Sequence, residues 1–185
     1  MELIKQNTQS QIIKKFIIVF LGSILLTISA KIKIPFYLLP VPMTMQTFVV
    51  LFLGISFGYK IGSATVILYL MEGIFGFPVF SNSPEKGIGL VYFTGPTMGY
   101  LIGFLFATFI AGFLNFRSGL ISNFFKLIFA VSFIYLFGLL WLGNLIGWDK
   151  PIIEYGMTPF LLAELFKITL LALIAKKIYL LREIT

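Results

Sequence analysis

The sequence predicts an all-α integral membrane protein, a bundle of six transmembrane helices with both termini on the cytoplasmic side. Three observations support this prediction. Hydrophobic residues make up 59% of the 185 residues and charged residues only 11%, whereas soluble domains carry about 25% charged residues. The apolar residues are collected into six runs. Lys and Arg stand mainly at the run ends that six crossings would place on one side.

Each of the six runs is predicted to be a helix, because each is bounded by charge, Pro or Gly. About 20 apolar residues cross a bilayer, so one membrane domain, residues 1–185, takes up the whole chain. Several runs, above all the second, are short for a full crossing, which places connecting backbone at membrane depth beside a cavity. The predicted helices are residues 12–32, 45–57, 61–77, 97–116, 120–146 and 159–178.

The placement of basic residues predicts the orientation. The polar segment 1–15 is interpreted as a cytoplasmic tail leading into the first helix, since no small-residue cleavage site follows it. Nine cations then fall inside: Lys5, Lys14, Lys15, Lys60, Arg117, Lys126, Lys176, Lys177 and Arg182. Four fall outside: Lys31, Lys33, Lys86 and Lys150.

Three connections face outward in this topology, residues 33–44, 78–96 and 147–158. They are longer and richer in Pro and aromatic residues than the inner connections near Lys60 and Arg117. Because loops held by a rigid scaffold carry most recognition, ligand binding is expected on the outer side.

Composition also excludes several functions. Cys and His are absent and Asp149 is the only Asp, which removes disulfides, thiol and His chemistry, the common zinc sites and an aspartate dyad. No nucleophile motif accompanies the remaining acids, so the chain is predicted not to be an enzyme and to need no cofactor or metal. The net charge of +7 lies at the ends of apolar runs rather than in a patch, which argues against nucleic acid.

Two charged residues in the sixth run are costly in a membrane. Glu164 and Lys167 are three residues apart and share a helix face. An ionised residue at mid-helix costs about 2.5–3.5 kcal/mol. They either neutralise each other as an ion pair or line a polar pocket and meet a ligand. Glu72, in the third run, either lines the same pocket or lies at the outer membrane boundary.

Further candidates for ligand contact lie near the outer side. The loop of residues 77–90 mixes polar, aromatic and glycine residues, and Asn82 and Lys86 belong to it. Tyr92 and Tyr100 offer hydroxyl groups on aromatic rings, which suits either a binding site or an anchor at the membrane interface.

Thr44 and Gln46 stand at the start of the second helix. A glutamine amide in a membrane helix needs a partner, either backbone or ligand. Both residues are therefore candidates for the binding site.

Small residues recur at helical spacing and are interpreted as packing surfaces. One series is Gly54, Gly58 and Gly62, and the other is Gly95, Gly99, Gly103, Ala107 and Ala111. A shorter series on the first helix consists of Ser23 and Thr27.

Four stretches in this order resemble the BioY family, the substrate-capture subunits of biotin transporters of the energy-coupling-factor (ECF) class. They are Val-Pro-Met-Thr-Met-Gln-Thr at 41–47, Gly-Phe-Pro-Val-Phe at 76–80, Gly-Pro-Thr-Met-Gly-Tyr-Leu at 95–101, and Pro-Phe at 159–160 followed by Glu164 and Lys167. The family often has Asp where this chain has Glu164.

The resemblance implies high-affinity biotin binding from outside and uptake across a bacterial cytoplasmic membrane. It further implies docking to a transmembrane coupling subunit driven by ATPase subunits, although some members are thought to transport alone. Ser23 and Thr27 stand where such subunits use a small-residue stripe for docking. The alternatives are a subunit for another vitamin and a structural membrane protein without a ligand. Self-association stays open.

Overall fold

The computed structural model describes residues 2–34 and 40–184, and the helices it contains pack side by side below a short β-hairpin. The helices are α1 (Glu2–Lys31), α2 (Gln46–Ile74), α3 (Met98–Phe113), α4 (Leu120–Ile146), α5 (Ile152–Gly156) and α6 (Leu161–Tyr179). Three 3-10 turns, Gly89–Thr94, Thr158–Phe160 and Leu180–Ile184, complete the helical structure. Strands β1 (Lys33–Ile34) and β2 (Met43–Thr44) pair antiparallel. Part of the predicted outer connection 33–44 therefore lies outside the described residues.

Helix α2 is a hairpin of two helical arms. Gly58 has φ +76° and ψ 174° and interrupts the helix. The two sides of this break are in contact, because a Cβ on Gly62 would lie 3.2 Å from the Gly54 Cα. Eight residues along a straight helix would separate them by about 12 Å. Residues 46–57 and 59–74 are thus antiparallel arms, in agreement with the second and third predicted runs.

Helix α1 begins earlier than predicted. The sequence suggested a polar tail before residue 12, but the helix starts at Glu2. The segment contains neither Gly nor Pro, and Glu, Lys and Gln are good helix formers. The polar residues at the start of α1 thus indicate the part of the helix that is in contact with water, and they do not mark where the helix begins.

The two glycine series pack helices together, as interpreted from the sequence. A Cβ on Gly54 would lie 2.6 Å from the Thr108 carbonyl oxygen on α3, and one on Gly103 would lie 2.6 Å from the Ile134 Cα on α4. Close approach of α2, α3 and α4 therefore depends on these positions. The two arms of α2 and helix α3 form the buried centre of the bundle, whereas α1 is exposed along most of its apolar length.

The helices are suited to a membrane. Within the described residues, four helical stretches are long and apolar enough to cross one by length and composition: Gln9–Lys31, Gln46–Ile74, Leu120–Ile146 and Ile152–Arg182. Of these, Gln46–Ile74 is divided at Gly58 into the two arms described above. Met98–Phe113 is apolar but shorter. Large apolar side chains cover the outside of the bundle. The protein is a multi-pass membrane protein.

Candidate functional site

A cavity lies at the end of the bundle that carries the β-hairpin. The empty space at the cavity, including the part open to solvent, is about 570 Å³. Its walls come from the β2 strand and the segment before it, the first arm of α2, the segment between α2 and α3, the first half of α3, the middle of α4 and the start of α6. The lining residues are Val41, Pro42, Met43, Thr44, Gln46, Thr47, Ser81, Tyr92, Thr97, Tyr100, Leu101, Phe104, Ile134, Tyr135, Phe160, Glu164 and Lys167.

The two costly charges of the last run face this cavity. A 3-10 turn, Thr158–Phe160, with Pro159 leads into α6, so both charges lie within its first two turns. Glu164 is 4% exposed and Lys167 is 6% exposed. An acid in the first turn also suits the positive end of the helix dipole. The sequence order Pro, Glu, Lys thus places one carboxylate and one ammonium at the cavity wall.

Lys167 has no hydrogen-bonding capacity to spare. Its Nζ donates to Glu164 Oε2 at 2.8 Å, to the Thr47 hydroxyl at 2.6 Å and to the Thr44 carbonyl oxygen at 3.1 Å. An ammonium group has three N–H donors, and all three have acceptors in the protein. Lys167 therefore fixes α6 against the β2 strand and the first arm of α2.

Glu164 is only half satisfied. Oε2 accepts from Lys167 and from the Thr47 hydroxyl at 3.1 Å. Oε1 is buried and accepts no hydrogen bond of normal geometry among the described residues, although the Tyr135 hydroxyl lies near the same carboxylate. A buried acceptor without a donor costs about 1–3 kcal/mol, and more when it is charged. The two residues thus form an ion pair that leaves one buried carboxylate oxygen without a donor.

Thr44 and Gln46 line the cavity. The partner of the Gln46 amide is neither backbone nor ligand, the two kinds expected from the sequence, but a tyrosine side chain. Gln46 Nε2 donates to the Tyr69 hydroxyl at 2.8 Å. Its Oε1 accepts from the Thr44 hydroxyl at 3.3 Å. The amide is therefore held by a tyrosine from the second arm of α2, and neither backbone nor ligand is needed to satisfy it.

Tyr92 and Tyr100 also line the cavity, with their hydroxyl groups engaged in the protein. The Tyr100 hydroxyl donates to the Gly156 carbonyl oxygen at 2.8 Å. The Tyr92 hydroxyl shares a 3.2 Å hydrogen bond with the Ser81 hydroxyl, and its ring stacks on Phe80. These residues present aromatic rings to the cavity rather than free hydroxyl groups.

Asn82 and Lys86 do not line the cavity. Asn82 Oδ1 accepts from Lys33 Nζ at 3.2 Å on the exposed side of the loop. Lys86 is exposed to solvent. Polar residues of a surface loop satisfy one another or water, and ligand contact by these two stays a prediction.

The end of α1 fastens the loop that carries Ser81. Lys31 Nζ donates to the carbonyl oxygens of Phe80 and Ser83, both at 2.7 Å. Lys33 Nζ donates to the Ser81 carbonyl oxygen at 3.0 Å. We call this arrangement the lysine clamp. It holds one wall of the cavity from outside.

Ser23 and Thr27 do not form an exposed docking stripe. Ser23 is fully buried and its hydroxyl donates to Glu72 Oε1 at 3.0 Å. The Thr27 hydroxyl donates to the Ser23 carbonyl oxygen at 3.0 Å. The carboxylate on α2 needs a donor in an apolar setting, which turns this face of α1 inward. Glu72 therefore lies against α1 and not at the cavity.

Two cavity residues were missed in the sequence. Thr47 bridges both charges of α6, and Tyr135 lines the cavity from α4. A hydroxyl inside an apolar run is a polar group that needs a partner, and that signal was present at both positions. No cluster of three or more metal-ligating side chains occurs among the described residues.

Comparison with known proteins gives one consistent result. The model of the BioY family matches residues 4–183. The chain is 33% identical over 139 residues to a probable biotin transporter BioY of Pyrococcus horikoshii, covering 75% of this chain and 81% of the relative. It is 35% identical over 159 residues to the biotin transporter BioY of Thermotoga maritima, covering 83% and 89%.

A solved structure has the same fold. The crystal structure of the S-component for biotin from an ECF-type ABC transporter superposes with a TM-score of 0.77 at 23% identity. The superposition covers 91% of this chain and 92% of the other. These matches confirm the resemblance read from the sequence.

Proposed function

The chain belongs to the BioY family, and from that premise we propose that it binds biotin and takes it up as the substrate-binding subunit of an ECF-type transporter. The relatives named above are biotin transporters. The observation that carries the proposal is the unpaired Oε1 of Glu164 in the wall of an apolar cavity. That atom calls for a ligand with a hydrogen-bond donor.

The chemistry of biotin suggests how it lies. Its ureido ring has two N–H donors, whereas its carboxylate tail at neutral pH has none. The ureido end therefore suits Glu164, and a charge-assisted hydrogen bond in a dry site is of the strong kind. Lys167 orients Glu164 through the 2.8 Å contact. The rings of Tyr92 and Tyr100 provide apolar walls for the bicycle.

The charges of the bundle ends support an orientation. The cavity end carries Lys31 and Lys33 in the clamp. The opposite end carries most of the remaining cations, among them Arg117, Lys126 and Arg182. Under the positive-inside rule we place the opposite end and both termini in the cytoplasm of a bacterial cell. The six helical segments, namely α1, the two arms of α2, α3, α4 and α6, then lie across the membrane, with the short first arm of α2 reaching through only part of its thickness, and the cavity opens outward.

Energy for uptake would come from a coupling subunit and ATPase subunits, since the chain has no nucleotide-binding motif. Ser23 cannot meet such a partner while it is buried against Glu72. A docking surface would instead use the exposed face of α1, where Phe16, Phe20 and Ile24 point outward. Uptake by this chain alone is the alternative.

The test is calorimetry of biotin binding to the detergent-purified protein. We expect Glu164→Gln and Lys167→Met to weaken binding at least about tenfold, the effect of losing one hydrogen bond to a charged group. Asp149 and Lys150 supply a matched control, because they form an exposed acid–lysine pair at 3.2 Å. Asp149→Asn and Lys150→Met should leave binding unchanged.

Two results would count against the proposal. If calorimetry detects no binding of biotin to the folded wild-type protein, the substrate is not biotin. If the exposed and buried pairs have equal effects, Glu164 is not at the binding site.

A further inference from the structure

A second cavity lies at the opposite end of the bundle, between the start of α4 and the end of α6. It encloses about 490 Å³, including open space, and we call it the Arg117 cavity. Its lining residues are Arg117, Ser118, Gly119, Leu120, Asn123, Ala172, Leu173 and Lys176. Two of them are cations and none is an acid. The biotin proposal makes no use of it.

The start of α4 adds positive potential to this cavity. The helix begins at Leu120 after Gly119, with no side-chain cap and no acid in its first turn. The first N–H groups of a helix have no partner within it and carry partial positive charge. A Cβ built on Gly119 would meet no described atom within 4 Å, so a ligand has room to approach. An anion is the complementary ligand.

Asn123 supplies an independent sign of a missing partner. It is 1% exposed and lines the cavity. Its Nδ2 donates to the carbonyl oxygens of Phe116 and Ser118, at 3.1 and 3.0 Å. Its Oδ1 has no hydrogen-bond partner in the described part of the chain. A ligand with a hydroxyl donor beside its negative charge would satisfy this acceptor.

The surroundings distinguish a lipid from a free anion. Ile121 and Phe125 on α4 and Leu173 on α6 are each more than half exposed, directly beside the cavity. They belong to helices that span the membrane, so acyl chains cover them. Basic pockets between transmembrane helices at the membrane boundary are suited to anionic lipid head groups.

We propose that the Arg117 cavity binds the head group of an anionic glycerophospholipid. The phosphate faces Arg117, Lys176 and the start of α4, and a head-group hydroxyl donates to Asn123 Oδ1. The acyl chains lie along the apolar surface of α4 and α6. This site is separate from the biotin cavity and does not depend on it.

The test uses the full chain in nanodiscs of phosphatidylcholine alone and of phosphatidylcholine with phosphatidylglycerol. Native mass spectrometry measures phosphatidylglycerol retained by the protein, and thermal unfolding measures protection. Two double variants remove equal charge from the same end of the bundle: Arg117→Gln with Lys176→Gln inside the cavity, and Lys60→Gln with Lys177→Gln outside it. Circular dichroism and size-exclusion chromatography verify that each variant is folded.

We expect phosphatidylglycerol to raise the Tm of the wild type and of the Lys60/Lys177 variant. The Arg117/Lys176 variant should lose about fivefold in lipid affinity for each charge removed. If that variant does not fold, Lys176→Gln alone serves, because Lys176 has no hydrogen-bond or ion-pair partner among the described residues. Its expected loss is about fivefold.

Three results would overturn the proposal. Equal losses in both double variants would show a diffuse attraction to the charged surface. If phosphatidylglycerol has no effect on the wild type, the Arg117 cavity does not bind this lipid, and a protein partner would be the remaining candidate for this surface. Equal protection by inorganic phosphate in neutral detergent would assign the cavity to a free anion.

Discussion

The Gln46 side-chain amide donates a 2.8 Å hydrogen bond to the Tyr69 hydroxyl, across 23 residues of chain. The bond joins the outer ends of the two arms of α2, on either side of the turn at Gly58. The same hydroxyl donates to the Val79 carbonyl oxygen at 3.2 Å. One tyrosine thus connects the hairpin to the loop that forms a wall of the cavity beside Glu164.

Removing that hydroxyl should destabilise the fold. Tyr69→Phe leaves the buried Gln46 amide without its acceptor, which costs about 1–3 kcal/mol. The measurement is the free energy of unfolding by titration with a denaturing detergent. Tyr59→Phe is the control, because Tyr59 is partly exposed and its hydroxyl has no hydrogen-bond partner among the described residues. Equal stability of the two variants would contradict the structural role of Tyr69.

Thr47 should matter for binding although it was absent from the predicted site. Thr47→Val removes the hydroxyl that contacts both Lys167 Nζ and Glu164 Oε2. We expect biotin affinity to fall about tenfold or more, because each lost bond involves a charged group. Thr169→Val, on the exposed face of α6, should leave the dissociation constant unchanged. Unaltered binding in the Thr47 variant would remove Thr47 from the site.

The lysine clamp should slow the release of biotin. Lys31→Met removes two 2.7 Å hydrogen bonds to the loop carbonyls of Phe80 and Ser83. The loop should then leave the cavity more often, and the dissociation rate of labelled biotin should rise about tenfold.

Lys86→Met is the matched control for the clamp. Lys86 belongs to the same outer loop and is exposed, so its loss should not change the dissociation rate. If biotin is released faster from Lys86→Met than from Lys31→Met, Lys86 is part of the binding site. The lysine clamp would then have no role in binding.

The turn of α2 should accept no residue but glycine. Gly58→Ala places a Cβ at φ +76° and ψ 174°, a region of backbone space that is essentially restricted to Gly. We expect a loss of about 1–3 kcal/mol in the free energy of unfolding. Lys60→Ala, two residues on and within regular helix, should be neutral. Retention of full stability by Gly58→Ala would mean that the turn relaxes without strain.

The sequence predicted the features that carry an energetic cost in lipid. The run 120–146 and helix α4 have the same bounds, because lipid demands a long apolar stretch and a glycine, Gly119 or Gly147, flanks it at each end. The break before Lys60 was marked by Gly58, the only residue type suited to that backbone. Glu164 and Lys167 were identified because buried charge is expensive.

What the sequence left undetermined concerns which elements face each other. Ser23 and Thr27 form a small-residue stripe that suits either a partner or a neighbouring helix, and only the position of Glu72 decides between them. The Thr47 hydroxyl signalled in the sequence only that it needs a hydrogen-bond partner, and not which residue supplies that partner. Its role arises from the register between α2 and α6.

The reversal at Gly58 has a consequence for how the chain enters the membrane. The arm before it, residues 46–57, is about 18 Å long, well short of the roughly 30 Å hydrocarbon layer. Such a segment is a poor substrate for independent insertion. The two arms should therefore leave the translocation machinery together as one helical hairpin, after the second arm has been synthesised.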